Sequence, residues 1–314
     1  MTDRILIAGG AGCLGSNLIE HLLPKGAEIA VIDNFATGHR ELVQDIPNVS
    51  LFEGSIADKR LVDDVFDEFA PRKVINSAAS YKDPDDWLED TRTNVEGTIN
   101  LVMAAKRTGV ARFINFQTAL CYGRAKQIPI AETARSEPFT SYGISKTAGE
   151  YYLENAGISY VSLRLANITG PRLAIGPIPT FYKRLKEGKP CFCSDAIRDF
   201  LDMADFLSLM DIVLEEDSPT GTYNVSTGEG RSIKDIFDHV VEYLGVELEQ
   251  EVPVVPVGED DVQKVVLDPS KARAELGWQA NISFQDMMTK MLDWYDAFGI
   301  NAIHSHLKAP VSTR

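Results

Sequence analysis

The sequence predicts an α/β fold built on a doubly wound parallel sheet, followed by a smaller mixed α/β lobe. Short β-branched runs alternate with longer helical patterns through the first half of the 314 residues. The runs are almost continuously apolar, as in parallel strands that helices cover on both faces. A glycine-rich segment follows the first run and opens a helix, which is typical of a doubly wound domain that binds a ligand.

The predicted strands, in chain order, are residues 5–8, 27–32, 49–53, 73–77, 112–116 and 160–165. After Asn167 the rhythm changes to Pro- and Gly-rich segments mixed with short amphipathic helices. We therefore expect residues 1–166 to form the sheet domain and residues 167–314 to form the smaller lobe. This lobe is expected to be discontinuous, because residues 221–225 resemble a strand that returns to the main sheet.

Composition limits the partners of the protein. Lys and Arg total 31 against 46 Asp and Glu, a formal net charge of -15, so we expect no nucleic-acid partner. The first residues lack a signal-peptide pattern and no apolar run reaches membrane-spanning length, so we expect a cytoplasmic protein without membrane insertion. Cys191 and Cys193 form a C-x-C pair without a second pair or clustered histidines, so we expect no bound metal.

The glycine-rich segment has the spacing G-x-x-G-x-x-G, with Gly9, Gly12 and Gly15 between the first strand and the first helix. Glycines at this turn let backbone N–H groups approach a pyrophosphate at the positive end of the helix. Asp33 ends the second strand, at the interval expected for a carboxylate that accepts hydrogen bonds from the adenosine ribose. A 2′-phosphate would be repelled there, although Arg40 lies nearby. The segment therefore predicts a Rossmann-type domain that binds NAD rather than NADP.

Tyr142 and Lys146 are four residues apart at the start of a predicted helix, so their side chains share one face. An unperturbed phenol titrates near ~10, and a nearby ammonium group lowers that value. We therefore expect Lys146 to lower the pKa of Tyr142 and make it a catalytic base. Thr118 follows the fifth strand, where it either hydrogen-bonds a substrate hydroxyl or caps a turn.

Further segments resemble one family in the same order. They are D-N-F-A-T-G at 33–38, T-N-V-E-G-T at 93–98, R-L-A-N-I-T-G-P-R at 164–172, R-D-F-L-D-M-A-D at 198–205, and D-P-S-K-A at 268–272 followed by L-G-W at 276–278. From Ile5 to about Tyr295 the chain resembles the extended short-chain dehydrogenase/reductase superfamily. It is most similar to nucleotide-sugar 4-epimerases of the UDP-galactose 4-epimerase type, including those of bacterial surface-polysaccharide (O-antigen) pathways.

The resemblance implies a role for each matching residue. Tyr142 would take the proton of the sugar 4-hydroxyl while NAD takes the C4 hydride, with Thr118 and Lys146 assisting, and the 4-keto sugar would turn and regain the hydride on its other face. The cofactor-binding residues that it implies are Gly9, Gly12, Cys13, Leu14, Gly15, Asp33, Asn34, Gly38, Ser55, Ile56, Ala78, Ala79, Asn94, Tyr142 and Lys146. The substrate-binding residues that it implies, for a UDP-sugar, are Ser80, Thr118, Asn167, Arg172 and Arg198.

Other reactions remain open at this point. A 4,6-dehydratase needs further acid and base groups, and the related dehydratases carry Thr-Asp-Glu where this chain has Thr-Ala-Leu at 118–120. A 4-ketoreductase needs the same Tyr and Lys but exchanges its cofactor. A non-catalytic NAD sensor would bind NAD without turnover. The missing carboxylates favour epimerisation.

Two segments depart from the family pattern. The family often has R-x-G-D, with an arginine on the nucleotide, where this chain reads Gly-Glu-Asp-Asp at 258–261, and it often has Gly-Asp-Ile where this chain reads Gly-Ser-Ile at 54–56. The loop 80–84 is either a sugar-selecting loop or a surface turn. Members of the family are commonly homodimers packed through helices such as 84–108 and 142–155, so we expect a homodimer.

Overall fold

The computed structural model describes residues 3–81, 83–258 and 261–300. Within these residues, seven parallel strands form one sheet: β1 (Arg4–Ala8), β2 (Glu28–Asp33), β3 (Val49–Glu53), β4 (Lys73–Asn76), β5 (Arg112–Thr118), β6 (Tyr160–Leu165) and β11 (Gly221–Val225). Their order across the sheet is β3-β2-β1-β4-β5-β6-β11. The predicted fold class is confirmed, and β11 pairs in parallel with β6 at the sheet edge.

Helices cover both faces of the sheet. They are α1 (Cys13–Leu22), α2 (Lys59–Phe69), α3 (Trp87–Asp90), α4 (Thr98–Thr108), α5 (Ser141–Glu154), α6 (Pro177–Lys186), α7 (Met203–Val213), α8 (Ile233–Leu244), α9 (Ser270–Leu276) and α10 (Phe284–Phe298). A π-helical stretch, Thr91–Gly97, joins α3 to α4. Alternate strand residues point to opposite faces, so Ile5 and Ile7 pack with α1 and α7, while Leu6 and Ala8 pack with α2 and α4.

The remaining strands are short and form three small sheets that belong to the second half of the chain. They are β7 (Asn167–Thr169), β8 (Cys193–Ser194), β9 (Ile197–Arg198), β10 (Phe200–Asp202), β12 (Arg231–Ser232), β13 (Val254–Val255) and β14 (Lys264–Val265). Helices α6, α8 and α10 pack together over a separate apolar cluster that includes Phe181, Phe237 and Met288. This cluster is the core of the second lobe.

Two helices that follow residue 166 pack on the main sheet rather than in the second lobe. Helix α7 packs on the main sheet through Phe206 and Met210, and α9 packs there through Ala272. The domain division at residue 166 stays a prediction, and residues 301–314 of the predicted lobe lie outside the described residues. No helix among the described residues is long and apolar enough to cross a membrane.

Candidate active site

A cavity of about 1620 Å³ runs along the carboxyl ends of the main-sheet strands, between the sheet and the second lobe. This is the edge at which doubly wound sheets bind ligands. The predicted site residues that line it are Gly9, Gly12, Cys13, Leu14, Gly15, Asp33, Asn34, Ser55, Ile56, Ala78, Ala79, Ser80, Thr118, Tyr142, Lys146, Asn167 and Arg198. The structure therefore brings most of the predicted cofactor, reaction and substrate residues into one space.

The turn between β1 and α1 accepts only glycine at two positions. Gly9 has φ +76°, and a Cβ there would lie 2.7 Å from the backbone nitrogen of Ala78. A Cβ at Gly15 would lie 2.4 Å from the carbonyl oxygen of Gly9. Helix α1 begins without a side-chain cap, so backbone N–H groups of its first turn remain to bind an anion. The turn fits the pyrophosphate of a dinucleotide.

Asp33 lies at the end of β2 with both carboxylate oxygens held by the backbone. Oδ2 accepts a hydrogen bond from the N–H of Ala11 at 2.9 Å, and Oδ1 accepts one from the N–H of Phe35 at 2.8 Å. Burial raises the pKa of this carboxyl group, and the two amides oppose that effect. Each oxygen keeps a lone pair for a further donor, so the carboxylate can still accept the hydroxyl groups of a ribose.

Tyr142 and Lys146 line the cavity from the first turns of α5. Thr140 caps this helix, because its hydroxyl accepts a hydrogen bond from the N–H of Gly143 at 3.1 Å. Lys146 is 4% exposed, and burial lowers the pKa of its ammonium group to about 8, with Glu150 opposing the change. Burial raises the pKa of the Tyr142 phenol, and Tyr81 and Asp90 add to the rise. Lys146 is not among the groups that shift the pKa of this phenol, so the expectation that it lowers the pKa of Tyr142 stays a prediction.

Thr118 is the last residue of β5 and faces the cavity. Its hydroxyl oxygen accepts a hydrogen bond from the N–H of Leu120 at 3.1 Å, which is the turn-capping role considered for it. The hydroxyl hydrogen stays available to donate to a bound molecule. Thr118 can thus cap the turn and contact substrate together.

Three predicted site residues do not line the cavity. The amide of Asn94 clamps Ser80, accepting from its N–H at 2.9 Å and donating to its carbonyl oxygen at 3.0 Å. Gly38 packs under the glycine turn, where a Cβ would lie 2.8 Å from the Cβ of Ala11. The Arg172 guanidinium is ion-paired with Glu20 on α1. Asn94 and Gly38 therefore support the residues that line the cavity, and the Arg172 side chain pairs with α1 instead.

The second-lobe wall brings one arginine to the cavity. Arg198 is ion-paired with Asp261 at 2.6 Å, and both side chains are less than one-sixth exposed. Gly258, at the position of the family's nucleotide-binding arginine, lines the cavity but has no side chain to offer. Asn167 donates from its side-chain amide to the carbonyl oxygen of Asp199 at 2.9 Å. Among the described residues that line the cavity, Arg198 is thus the one that offers a guanidinium group.

Sequence reasoning missed several residues of this site. Tyr81 belongs to the loop 80–84 that was predicted either to select the sugar or to form a surface turn; it lines the cavity and packs edge-on against Tyr142, with ring centroids 6.2 Å apart. The sequence does not single out Asp261, which pairs with Arg198, or Asp90, which disfavours the Tyr142 phenolate. A lone acid or aromatic ring carries no spacing signal, so neither could be found without the fold. Lys82 of the predicted loop, with Glu259 and Asp260 of the departing segment, lies outside the described residues.

Comparison with known proteins agrees with the family that the sequence resembles. Residues 6–291 match the family model described as GDP-mannose 4,6 dehydratase. The chain belongs to this family, within the extended short-chain dehydrogenase/reductase superfamily. The predicted resemblance is confirmed.

Known structures and proteins place the chain more closely within that superfamily. The Bordetella bronchiseptica enzyme WbmG, crystallised with NAD and UDP, is 60% identical, with a TM-score of 0.94 over 99% of this chain and 100% of that chain. The enzyme WbmH of the same organism, crystallised with NAD+, is 40% identical, with a TM-score of 0.89 over 95% of this chain and 100% of that chain. A UDP-glucose 4-epimerase of Lacticaseibacillus casei is 28% identical over 93% of this chain and 96% of its own length.

Proposed function

We propose that the protein is an NAD-dependent nucleotide-sugar 4-epimerase that acts on a UDP-sugar. The observation that carries this proposal is the meeting of the glycine turn, Tyr142, Lys146 and Thr118 in one cavity. The glycine turn and Asp33 would hold NAD, which would supply a hydride acceptor and donor for C4 of the sugar. The curated relatives named UDP-glucose 4-epimerase support the same reaction.

The chain supplies the proton chemistry of this reaction. Tyr142 takes the proton of the sugar 4-hydroxyl and gives it back after the sugar has turned. Lys146 sits on the same helix face and favours the phenolate while it is protonated. Thr118 donates its free hydroxyl hydrogen to the sugar oxygen that loses and regains the proton. Because the same proton returns, the reaction needs no second acid or base.

The cavity wall beside Thr118 distinguishes epimerisation from dehydration. A 4,6-dehydratase must remove a proton from C5 and protonate the leaving C6 hydroxyl. The residues that follow Thr118 are Ala119 and Leu120, both lining the cavity, and neither can transfer a proton. The matching family model carries the description of a dehydratase, but the cavity wall at Ala119 and Leu120 supports epimerase chemistry.

The glycine turn, Asp33, Ser55 and Ile56 would hold the adenosine and pyrophosphate of NAD. Asn167, Ser80 and Arg198 would hold the sugar nucleotide, with the arginine on its diphosphate through charge-assisted hydrogen bonds. Arg198 must exchange Asp261 for the diphosphate, since the two side chains are paired. A role for Arg172 requires the same exchange with Glu20.

The proposal also covers the oligomeric state, the cellular location and the pathway of the protein. Trp87, Leu88, Met103 and Tyr152 are each more than half exposed on the helical stretch that includes α3, α4 and α5. Large apolar side chains grouped on neighbouring helices support a homodimer through this surface. The four cysteines are free thiols, which supports a reducing, cytoplasmic location. The likeness to O-antigen epimerases supports a place in surface-polysaccharide synthesis.

The test combines cofactor identification with isotope tracing. The purified protein is denatured and the released cofactor is identified by mass spectrometry. The native protein is then incubated with UDP-sugars that carry deuterium at C4. We expect retained NAD and C4 epimers that keep the deuterium. Tyr142→Phe should form no C4 epimer. Ser208→Ala, a distant control, should form the epimers as the wild type does. Stoichiometric consumption of NADH would indicate a ketoreductase, a 4-keto-6-deoxy product a dehydratase, and NAD without turnover a sensor.

A further inference from the structure

A buried ion pair lies directly behind the reaction helix. Glu150, on α5, is 0% exposed. Its carboxylate accepts hydrogen bonds from the Ser162 hydroxyl at 2.6 Å and from Nη2 of Arg164 at 2.7 Å. Both partners lie on β6, so the pair joins the reaction helix to the sheet. A carboxylate buried to this extent stays ionised only when a cation and hydrogen bonds compensate it.

The arginine of this pair is held in turn by neutral groups. Nη1 of Arg164 donates to the Tyr122 hydroxyl at 3.0 Å, and that hydroxyl donates to Oδ1 of Asn224 at 2.8 Å. Asn224 lies on β11 and donates to the carbonyl oxygen of Ile130 at 2.8 Å. These bonds fix the guanidinium against Glu150 from the turn after β5 and from the sheet edge.

Glu150 is one helical turn beyond Lys146, at the spacing that places two side chains on one face. Four residues of α-helix rise about 6 Å, so the two charges are near neighbours. Both side chains are buried, and the negative charge of Glu150 opposes the lowering of the Lys146 pKa. In a buried site an ammonium group without an opposing charge loses its proton more readily.

The other titratable groups around the pair leave its charges in place. Burial raises the pKa of the Tyr122 and Tyr160 phenols and of the Cys121 thiol, so these groups are neutral in the physiological range. Glu154, two turns beyond Lys146, is about 12 Å away along the helix. Tyr142, on the other side of Lys146, is also neutral near pH 7 because burial raises its pKa.

We propose that Glu150 is a positioning residue for the reaction: its carboxylate keeps the buried Lys146 cationic beside Tyr142, and Arg164 holds that carboxylate in place. This inference rests on the proposed function, in which a protonated Lys146 favours the phenolate. Neither Glu150 nor Arg164 is among the residues that line the cavity. The pair acts through Lys146 alone.

The test follows the titration of Lys146 itself. Protein with lysine labelled at 13Cε is titrated by NMR, and the Lys146 signal is assigned by its loss in Lys146→Arg. We expect the Lys146 titration to have its midpoint near pH 8 in the wild type. In Glu150→Gln the midpoint should be lower by about one pH unit or more. At a given pH above the midpoint, a shift of one unit leaves about ten-fold less of the lysine in its cationic form. Glu150→Asp, which keeps the charge, should restore most of the wild-type midpoint.

Tyr122→Phe is the matched control, because it removes a buried hydroxyl of the same network and leaves both charges. Its Lys146 midpoint should match the wild type. Should Glu150→Gln fail to fold by circular dichroism, it is combined with Arg164→Met to remove the unpaired cation, and its midpoint is compared with that of Arg164→Met alone, so that the two proteins differ only at Glu150; the double variant should have the lower midpoint. An unchanged midpoint in a folded variant without Glu150, or an equal fall in Tyr122→Phe, would overturn the proposal. Failure of the proposed function would instead show as absent C4 interconversion by the wild type, whatever the lysine titration gives.

Discussion

Replacing Asp90 with asparagine should stabilise the protein at neutral and alkaline pH and change it little in acid. Asp90 ends α3 and is 0% exposed. Within the described part of the chain, neither carboxylate oxygen has a partner that meets hydrogen-bond distance and angle. The hydroxyls of Ser141 and Ser80 lie near enough to lower the pKa of this carboxyl group, but burial outweighs them and raises it.

The sign of the pH dependence follows from this raised pKa. The folded protein holds the Asp90 proton to a higher pH than the unfolded chain, whose carboxyl group has the ordinary pKa of 3.8. The free energy of unfolding therefore falls as the pH rises from that value through the folded-state pKa, and stays lower above it. Asparagine cannot ionise, so the variant avoids this fall. A buried charged group without full hydrogen bonding costs about 1–3 kcal/mol, and we expect a gain of that size at pH 8.

Urea unfolding at pH 4 and pH 8, at one fixed protein concentration, measures the difference. Asp86→Asn is the matched control, since Asp86 is an exposed acid on the same helix and asparagine caps a helix as well as aspartate. It should change stability little at either pH. The reasoning would be refuted if Asp90→Asn were no more stable than the wild type at pH 8. It would also be refuted if the variant gained the same free energy of unfolding at pH 4 as at pH 8.

Three further predictions concern packing, cofactor choice and assembly. Gly149→Ala should destabilise the protein by about 2 kcal/mol or more in chemical unfolding despite the better helix propensity of alanine, because its Cβ would lie 2.5 Å from the carbonyl oxygen of Asn94. Asp33→Asn should reduce the preference for NAD over NADP, measured as the ratio of the two dissociation constants; an unchanged ratio would exclude Asp33 from cofactor selection. Tyr152→Asp should convert a dimer to a monomer in light scattering, while Leu248→Asp, an exposed apolar position on the second lobe, should not; a monomeric wild type would remove the dimer proposal.

Periodicity and glycine chemistry were enough to predict the sheet. Residues 49–53 and 160–165 are strands with the bounds that the sequence suggested, and the other predicted strands differ by two residues or fewer at an end. Helix α7 follows the predicted boundary at residue 166 and packs on the main sheet, which its sequence could not indicate, because an apolar face shows that a helix is buried but not which surface buries it. Arg172 fits the family pattern, but its backbone has a positive φ of 67° and its side chain pairs with Glu20. A motif fixes the residue type and leaves its direction to the local backbone.

The reaction residues show the same limit in their electrostatics. The spacing of Tyr142 and Lys146 predicts that they share a helix face, and the helix places both in the cavity. The spacing also suggests that the ammonium group activates the phenol, but burial weakens both charged forms at once. It raises the pKa of Tyr142 and lowers that of Lys146 to about 8, so the lysine is only partly able to help at alkaline pH. Whether the pair works as a base near neutral pH therefore depends on charges that no Y-x-x-x-K pattern contains: Asp90 disfavours the phenolate from one side, and Glu150 sustains the ammonium from the other.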